Sequence, residues 1–200
     1  MYTFLPHHPL YMAIFWIAYA IWGIPEILGA IRQNSVRVRK EARREDRGSY
    51  LFLMVMLYIG LFLAFIAVYA LSVATIAWHQ TVIFFIGIAA ILLGVALRWY
   101  AIWTLGRYFT RDVAVSPDQQ IVQHGPYRYI RHPAYSGSLL TVVGVGLALL
   151  NWASLIVLVV CTFIGYLYRV RVEEQALCQT IGQPYRDYMR RTRRFIPFVL

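Results

Sequence analysis

The sequence predicts an all-α integral membrane protein with five transmembrane helices, and three observations support this prediction. Of the 200 residues, 60% are hydrophobic and only 14% are charged, whereas a soluble domain is about a quarter charged. The charged residues leave uncharged runs that are long enough to cross a bilayer. All 19 Lys and Arg residues fall into three clusters beside those runs. This composition excludes a soluble globular domain and a disordered chain.

The first three spans follow from the lengths of the runs, because crossing about 30 Å of hydrocarbon takes about 20 apolar residues. Span one is predicted at residues 10–31, where Glu26 is the one formal charge. The next run, residues 50–97, is uncharged over 48 residues and is too long for one crossing. We expect this run to turn at His79 and Gln80, which gives spans at residues 50–77 and 81–105.

The last two spans are predicted to form a tight helical hairpin. Residues 134–168 are uncharged and would extend about 52 Å as one helix at about 1.5 Å per residue. They therefore fold back, and the polar Asn151 marks the turn between spans at residues 134–150 and 152–171. Proline is common in the first turn of a helix, so Pro133 is expected to begin the fourth span. Three glycines of that span are expected to allow close helix packing: Gly137, Gly144 and Gly146.

The basic clusters predict the orientation of the chain. They occupy residues 32–47, 98–131 and 169–194, and with five spans all three lie on the same side of the membrane. The segments on the other side hold no Lys or Arg. Because Lys and Arg near span ends favour the cytoplasm, we expect the N-terminus outside and the C-terminus in the cytoplasm. The same distribution indicates a multi-pass membrane protein and no nucleic-acid partner.

The whole chain, residues 1–200, is expected to form a single membrane domain with a cytoplasmic region made of residues 106–133 and 169–200. No cleavable signal peptide is expected, because the first apolar run has the length of a span. The first basic loop is expected to contact anionic lipid head groups. The last segment has an amphipathic pattern typical of the membrane surface, and Gly182 and Pro184 predict two short helices there.

The most unusual stretch is residues 119–137, where glycine, proline, tyrosine, histidine and arginine are concentrated. Gly125 beside Pro126 predicts a turn. The N–H groups at the start of the fourth span favour an anion, and tyrosine faces can cover a cationic or heteroaromatic ligand. An interfacial belt that anchors the span explains the same residues. His124 and His132 lack an acidic or cysteine partner nearby, so no metal site is expected.

Arg169 and Glu173 form a second candidate site, because residues four apart share a helix face. They lie where the fifth span meets water, so Arg169 is predicted to hold an anionic group and Glu173 to hold hydroxyls or an amine. A simple ion pair is the alternative, and it stabilises a helix by only about 0.3–0.5 kcal/mol when exposed. Glu26, inside the first span, either reaches the cytoplasm or lines a cavity.

These motifs resemble the isoprenylcysteine carboxyl methyltransferase family and its phospholipid methyltransferase relatives. The resemblance rests on residues 124–137, on Arg169 with Glu173 and Glu174, and on the tail at residues 182–198. It covers the C-terminal half of the chain. It implies an integral membrane enzyme that transfers a methyl group from S-adenosylmethionine to a lipid-like acceptor.

The resemblance also implies the residues of the site. Arg169 would contact the carboxylate of the substrate, and Arg169 and Glu173 are the expected catalytic residues. Family members often have His where this chain has Gln119. The positions that match the cofactor-binding segments of the family are Gln119, Gln120, Ile121, Val122, Tyr127, His132, Pro133, Ala134, Tyr135 and Glu173.

The implied reaction is carboxyl O-methylation of a prenylcysteine-like or other isoprenoid acid at the cytoplasmic membrane face. A carboxylate is ionised at neutral pH, so Arg169 would orient it through paired donors. N-methylation of a phospholipid amine is an alternative, and it would need Glu173 or His132 as a base. A further alternative is an NADPH-dependent enzyme like the sterol reductases, although the Asp that commonly follows their Tyr-x-Gly motif is replaced here by Ser138. The last alternative is a non-catalytic lipid-binding scaffold. The sequence determines neither the acceptor nor the oligomeric state.

Overall fold

The computed structural model describes residues 8–35, 43–44, 46–111, 113–115 and 119–196. Within these ranges a two-residue antiparallel pair joins two loops: β1, Arg43–Arg44, and β2, Ala114–Val115. The rest of the regular structure is helical, which confirms the all-α prediction apart from this pair. The α-helices are α1 (Pro9–Ser35), α2 (Ser49–Ala70), α3 (Gln80–Leu105), α4 (Pro133–Ala148), α5 (Trp152–Thr180) and α6 (Gln183–Arg191).

The five predicted apolar helices are present, but their lengths differ from the prediction. Helices α1, α2, α3 and α5 are long and apolar enough to cross a membrane. Helix α4 is apolar but has 16 residues, fewer than the roughly 20 that a crossing takes. Helix α5 continues beyond residue 171, because Val172 and Ala176 stay buried against Val113.

Helix α2 ends at Ala70 and not at residue 77, so the connection to α3 is longer than predicted. The segment after Ala70 bonds to the turn between α4 and α5. The Asn151 amide donates to the carbonyl oxygen of Leu71 at 3.1 Å, and the Ile76 N–H donates to the carbonyl oxygen of Leu150 at 2.8 Å. These contacts satisfy backbone groups that a longer helix would have paired internally.

The two predicted breaks in the C-terminal half lie at the expected residues. Asn151 begins α5, and its side chain accepts a hydrogen bond from the Ser154 N–H at 3.0 Å. Gly182 has a φ of 77° and separates α5 from α6, a backbone conformation that glycine adopts readily. The first of the two expected short helices is instead the last part of α5. Residues 197–200 of the tail and residues 36–42 of the first basic loop lie outside the described residues.

Helices α3 and α4 approach each other at glycines. A Cβ atom at Gly94 would lie 2.5 Å from the carbonyl oxygen of Gly137, and one at Gly144 would lie 2.6 Å from the carbonyl oxygen of Gly87. Real Cβ atoms do not come so close, so only glycine permits this packing. Gly146 makes a similar approach to α5. The expected role of the glycines of α4 in close packing is confirmed.

The described residues of the basic clusters meet at one end of the bundle, which we call the basic end. There Arg47 bonds to Gln175 of α5, Arg98 bonds to Glu26 of α1, and Arg169 bonds to Asp46. The C-terminal ends of α1, α3 and α5 and the N-terminal ends of α2 and α4 lie there. The opposite end holds the connection from α2 to α3 and the turn at Asn151, which bond to each other. Between the ends, a buried core joins the helices, and its largest fully buried side chains include Phe84, Ile91 and Leu158. That residues 1–200 form one domain remains a prediction.

Candidate functional site

A cavity at the basic end brings together most of the residues predicted to bind a cofactor. We call it the polar cavity. It encloses about 850 Å³, counting the part that is open to solvent. Pro133 does not line it, because this residue is fully buried where α4 begins. The predicted residues that line the polar cavity are Gln119, Gln120, Ile121, Val122, Tyr127, His132, Ala134, Tyr135, Arg169 and Glu173.

The loop before α4 is held by a turn and by the C-terminal tail. Gly125, with a φ of 58°, begins the 3₁₀ turn that Gly125 and Pro126 predict. The Tyr188 hydroxyl of α6 donates to the carbonyl oxygen of Tyr127 at 2.6 Å. The backbone after the turn pairs with residues 193 and 194 of the tail. The tail therefore supports one wall of the polar cavity, which the sequence alone did not indicate.

Glu173 is the acid that faces the polar cavity. Its Oε2 accepts a hydrogen bond from the Tyr135 hydroxyl at 2.7 Å and lies 3.7 Å from Nδ1 of His132. The rings of His132 and Tyr135 stack, with centroids 5.4 Å apart and planes 10° apart. The Glu173 side chain is 28% exposed, so its carboxylate remains accessible to a ligand. Three predicted residues from two helices thus form one connected group.

Glu174 is the next residue, but it faces the loop and the tail. It is 4% exposed and accepts hydrogen bonds from Nε of Arg131 at 2.9 Å and from Nη2 of Arg194 at 2.7 Å. Nε2 of His132 lies 3.4 Å from it. A buried carboxylate with several cationic partners fixes the position of those partners. Glu174 therefore holds the histidine that stacks on Tyr135.

Arg169 lies at the inner end of the polar cavity and is 2% exposed. Its Nε donates to the Tyr135 hydroxyl at 3.2 Å. Its Nη1 donates to the Ser49 hydroxyl at 2.9 Å and to the carboxylate of Asp46. Its Nη2 donates to the carbonyl oxygen of Arg111. The predicted residue is in the site, and it is bound to a partner, Asp46, that sequence analysis missed.

Asp46 lies between β1 and α2. Its carboxylate also accepts hydrogen bonds from the Ser49 hydroxyl at 2.8 Å, from the Tyr50 N–H at 3.2 Å and from the Val113 N–H at 3.3 Å. Burial by itself would raise the pKa of Asp46. The hydrogen bonds and the charge of Arg169 outweigh burial, so this pKa lies below its ordinary value. An Asp just before a helix is a capping signal, and it was the one hint that the sequence offered.

A second cavity, which we call the membrane cavity, extends from Arg169 into the bundle. It encloses about 1460 Å³ by the same measure. Arg169 and Tyr135 line both cavities, so the two cavities meet at these residues. The walls away from this junction are largely apolar. They include Trp22, Leu53, Leu57, Leu61 and Val142.

Glu26 lines the membrane cavity, which is one of the two expectations for this residue. Its Oε2 lies 3.0 Å from Nη2 of Arg98 and 3.5 Å from Nη2 of Arg111. An acid within a span is stabilised by such pairing. The pair joins α1 to α3 close to the junction of the two cavities.

The start of α4 offers little room for an anion. The N–H groups of Tyr135 and Ser136 both donate to the carbonyl oxygen of His132 at 3.0 Å. Pro133 has no N–H, so only the N–H of Ala134 is left in this turn. The prediction that this helix start holds an anion is therefore not supported by the geometry.

Three tyrosines that line the polar cavity outside the spans, Tyr127, Tyr185 and Tyr188, are neutral at physiological pH. Burial, followed by the negative charge of Glu173, raises the pKa of Tyr127 and of Tyr185 above the ordinary value. Burial raises the pKa of Tyr188 to about 12. Neutral aromatic faces beside one carboxylate favour a cationic ligand. Among the described residues, no three His, Cys, Asp or Glu side chains are grouped as metal ligands.

Several known proteins are similar to this chain. Residues 85–179 match the Isoprenylcysteine carboxyl methyltransferase (ICMT) family. Protein-S-isoprenylcysteine O-methyltransferase B of Arabidopsis thaliana is 36% identical over 56% of this chain and 58% of its own length. The "Probable protein-S-isoprenylcysteine O-methyltransferase" of Oryza sativa subsp. indica is 31% identical over 58% of this chain and 61% of its own length. The uncharacterized protein YpbQ of Bacillus subtilis is 27% identical over 82% of this chain and 96% of its own length.

A solved structure shares the fold. It is the eukaryotic intramembrane Ras methyltransferase ICMT, with a TM-score of 0.57 and 28% identity, and the match covers 76% of this chain and 53% of that one. This chain spans about three-fifths of the length of the two plant methyltransferases that it matches. The matched residues include the start of α4 and the Arg169 and Glu173 face of α5. By sequence over residues 85–179 and by fold, this integral membrane protein is similar to the isoprenylcysteine carboxyl methyltransferase family.

Proposed function

We propose that this chain is an S-adenosylmethionine-dependent methyltransferase that acts on a lipid-like acceptor at the cytoplasmic face of the membrane. One observation carries the proposal: a polar cavity with an accessible carboxylate and aromatic walls meets a largely apolar cavity inside the bundle at Arg169. A water-soluble cofactor and the tail of a lipid can therefore approach one point from opposite sides.

The residues of the polar cavity fit S-adenosylmethionine by charge. The sulfonium is cationic, and the neutral rings of Tyr127 and Tyr185 and the carboxylate of Glu173 suit a cation. Glu173 would accept hydrogen bonds from hydroxyls or from the amine, and the amides of Gln119 and Gln120 offer donors and acceptors along the loop. When bound, S-adenosylmethionine supplies the methyl group for transfer.

The proposed acceptor is a prenylcysteine-like or other isoprenoid acid. Several relatives are named for O-methylation of isoprenylcysteine. A carboxylate has a reference pKa of about 3.5–4, so it needs no base at neutral pH. Arg169 would orient it through charge-assisted hydrogen bonds. The buried junction around Tyr135 would exclude water from the reacting groups.

The basic end is proposed to face the cytoplasm, with the N-terminus outside. The described residues of the three basic clusters lie at this end, and Lys and Arg beside spans favour the cytoplasmic side. S-adenosylmethionine is a charged cytoplasmic compound, so a cavity that opens at this end would be accessible to it.

Calorimetric titration of the detergent-purified protein with S-adenosylmethionine, and separately with NADPH, tests the cofactor. We expect S-adenosylmethionine to bind, and we expect Glu173→Gln to weaken binding at least about ten-fold, because a hydrogen bond to a charged group contributes about 1.5–3 kcal/mol. Asp187→Asn removes an exposed acid of α6 and is the matched control. Binding of NADPH alone would favour a reductase, and binding of neither compound would favour a non-catalytic lipid-binding role.

A further inference from the structure

We propose that Asp46 competes with the methyl acceptor for Arg169 and thereby selects acceptors whose head group is an anion. This inference rests on the proposed function, in which Arg169 holds the acceptor. Asp46 lies outside the matched residues 85–179, so it belongs to the part of the chain that the family comparison does not describe.

The guanidinium of Arg169 is nearly filled by groups of the protein. Arginine has five N–H donors, and four hydrogen bonds join Arg169 to groups of the protein. One N–H is left, whereas a bidentate contact with a carboxylate takes two. An acceptor carboxylate can bind Arg169 in that way only if one of the present partners leaves.

Asp46 is the partner that leaves Arg169 when the acceptor binds. Tyr135, Ser49 and the backbone of Arg111 are neutral partners, and Asp46 is the anionic one. The Asp46 side chain is 20% exposed, whereas that of Arg169 is 3% exposed. Asp46 can therefore exchange its bonds to Arg169, Ser49 and the two backbone N–H groups for water, while Arg169 stays buried.

The charge of Arg169 makes this exchange selective for anions. If Asp46 leaves, Arg169 loses the carboxylate that bonds to it directly, and Glu173 acts on it only across the Tyr135 hydroxyl. A buried cation with such distant pairing is unfavourable. An acceptor carboxylate restores the pair, but an ester, an amine or a hydroxyl does not. The methylated product is a neutral ester, so Asp46 would regain Arg169 after the reaction and favour release of the product.

Competition by Asp46 should lower the affinity for an acceptor carboxylate by a measurable factor. The apparent affinity for a ligand equals the intrinsic affinity multiplied by the fraction of molecules that are competent to bind it. If Asp46 holds Arg169 in about 90–99% of molecules, removing its charge tightens carboxylate binding by about 10–100-fold. Asp46→Asn removes the charge and keeps an oxygen that can cap α2 through the N–H of Tyr50.

The test is calorimetric titration with N-acetyl-S-farnesyl-L-cysteine and with its methyl ester. We expect Asp46→Asn to bind the carboxylate at least about ten-fold more tightly than the unaltered protein, and the ester within about two-fold. Asp46→Glu keeps the charge, so it should bind the carboxylate about as tightly as the unaltered protein does. The control Asp187→Asn should change the affinity for neither compound. Equal or weaker binding of the carboxylate by Asp46→Asn would overturn the proposal and leave Asp46 as a helix cap.

S-adenosylmethionine binding by the same samples separates this proposal from the proposed function and also reports a folded polar cavity. If the carboxylate difference is found but S-adenosylmethionine does not bind, the methyltransferase proposal fails and the competition stands. If S-adenosylmethionine binds and neither the unaltered protein nor Asp46→Asn binds the carboxylate, the competition is wrong and the cofactor assignment stands.

Discussion

Glu173 and Glu174 are neighbours with different tasks, because successive helix residues point about 100° apart. Glu173 faces the polar cavity, where Tyr135 donates to it. Glu174 points to the loop and the tail, where Arg131 and Arg194 donate to it. The first residue is placed to meet a ligand, and the second keeps the cavity wall in position.

Replacing Glu174 should therefore affect stability more than replacing Glu173 does. We expect Glu174→Gln to lower the free energy of unfolding by about 3–5 kcal/mol, because it leaves a buried cation, Arg131, without its charge partner. Glu173→Gln, the matched control, should lower it by about 1 kcal/mol, the contribution of one hydrogen bond. Thermal unfolding of both variants in detergent measures this difference, and equal melting temperatures would contradict the assigned roles.

The pair of Asp46 and Arg169 predicts a pH dependence. The folded-state pKa of Asp46 lies below its ordinary value, so its ionised form stabilises the fold. That contribution is fully present above the unfolded-state pKa of about 3.9, and it is lost as the pH falls through the folded-state pKa. We expect the stability difference between the unaltered protein and Asp46→Asn to stay constant from about pH 6 to about pH 5 and to shrink as the pH falls below about 4. A difference that also stays constant in denaturation curves below about pH 4 would argue against the ionised pair.

Among the elements, α3 and α4 depend most on close approach. A Cβ atom at Gly94 would lie 2.4 Å from Oγ1 of Thr141. We expect Gly94→Ala to lower the free energy of unfolding by about 1–3 kcal/mol through overpacking. Gly23→Ala in α1 is the control, because nothing lies within 4 Å of its Cβ position, and it should be neutral or stabilising. Thermal unfolding of the two variants distinguishes these results, and a stable Gly94→Ala protein would mean that the helices can separate without loss.

The bounds of the helices were predictable where local residues mark both ends. Helix α3 runs from Gln80 to Leu105, against an expected 81–105, because His79 and Gly106 adopt positive φ angles at its ends. The end of α2 was not predictable, because hydropathy continues to Ile76 while the backbone after Ala70 bonds to the distant hairpin turn. Tertiary hydrogen bonds, and not local composition, end that helix.

The site was predictable where its residues belong to compact motifs. Tyr127, His132 and Tyr135 come from one short segment, and Glu173 follows from the helix periodicity of α5. Asp46 was missed, because its partner Arg169 lies 123 positions away in the chain. Hydropathy and spacing carry no signal for such a pairing, and only the fold brings the two residues together.

At the scale of the whole molecule, the proposed orientation predicts which ends react with a membrane-impermeant maleimide. In a background of Cys161→Ser and Cys178→Ser, we expect Val73→Cys to be labelled in intact cells and Arg190→Cys only in inside-out vesicles. Val73 is 94% exposed and the Arg190 side chain is 78% exposed, so burial does not protect either site. The reverse labelling would place the polar cavity outside the cell.

The most direct test of methyl transfer uses the protein in proteoliposomes with methyl-labelled S-adenosylmethionine. The acceptors are N-acetyl-S-farnesyl-L-cysteine and, separately, phosphatidylethanolamine. We expect label in the farnesylcysteine product and loss of transfer in Glu173→Gln. Mild base should release that label as methanol, because a carboxyl methyl ester hydrolyses under those conditions. Carboxyl methylation would be contradicted by label that is stable to base and is found only in the phospholipid. The proposed acceptor class would be contradicted if the protein binds S-adenosylmethionine but transfers label to neither acceptor.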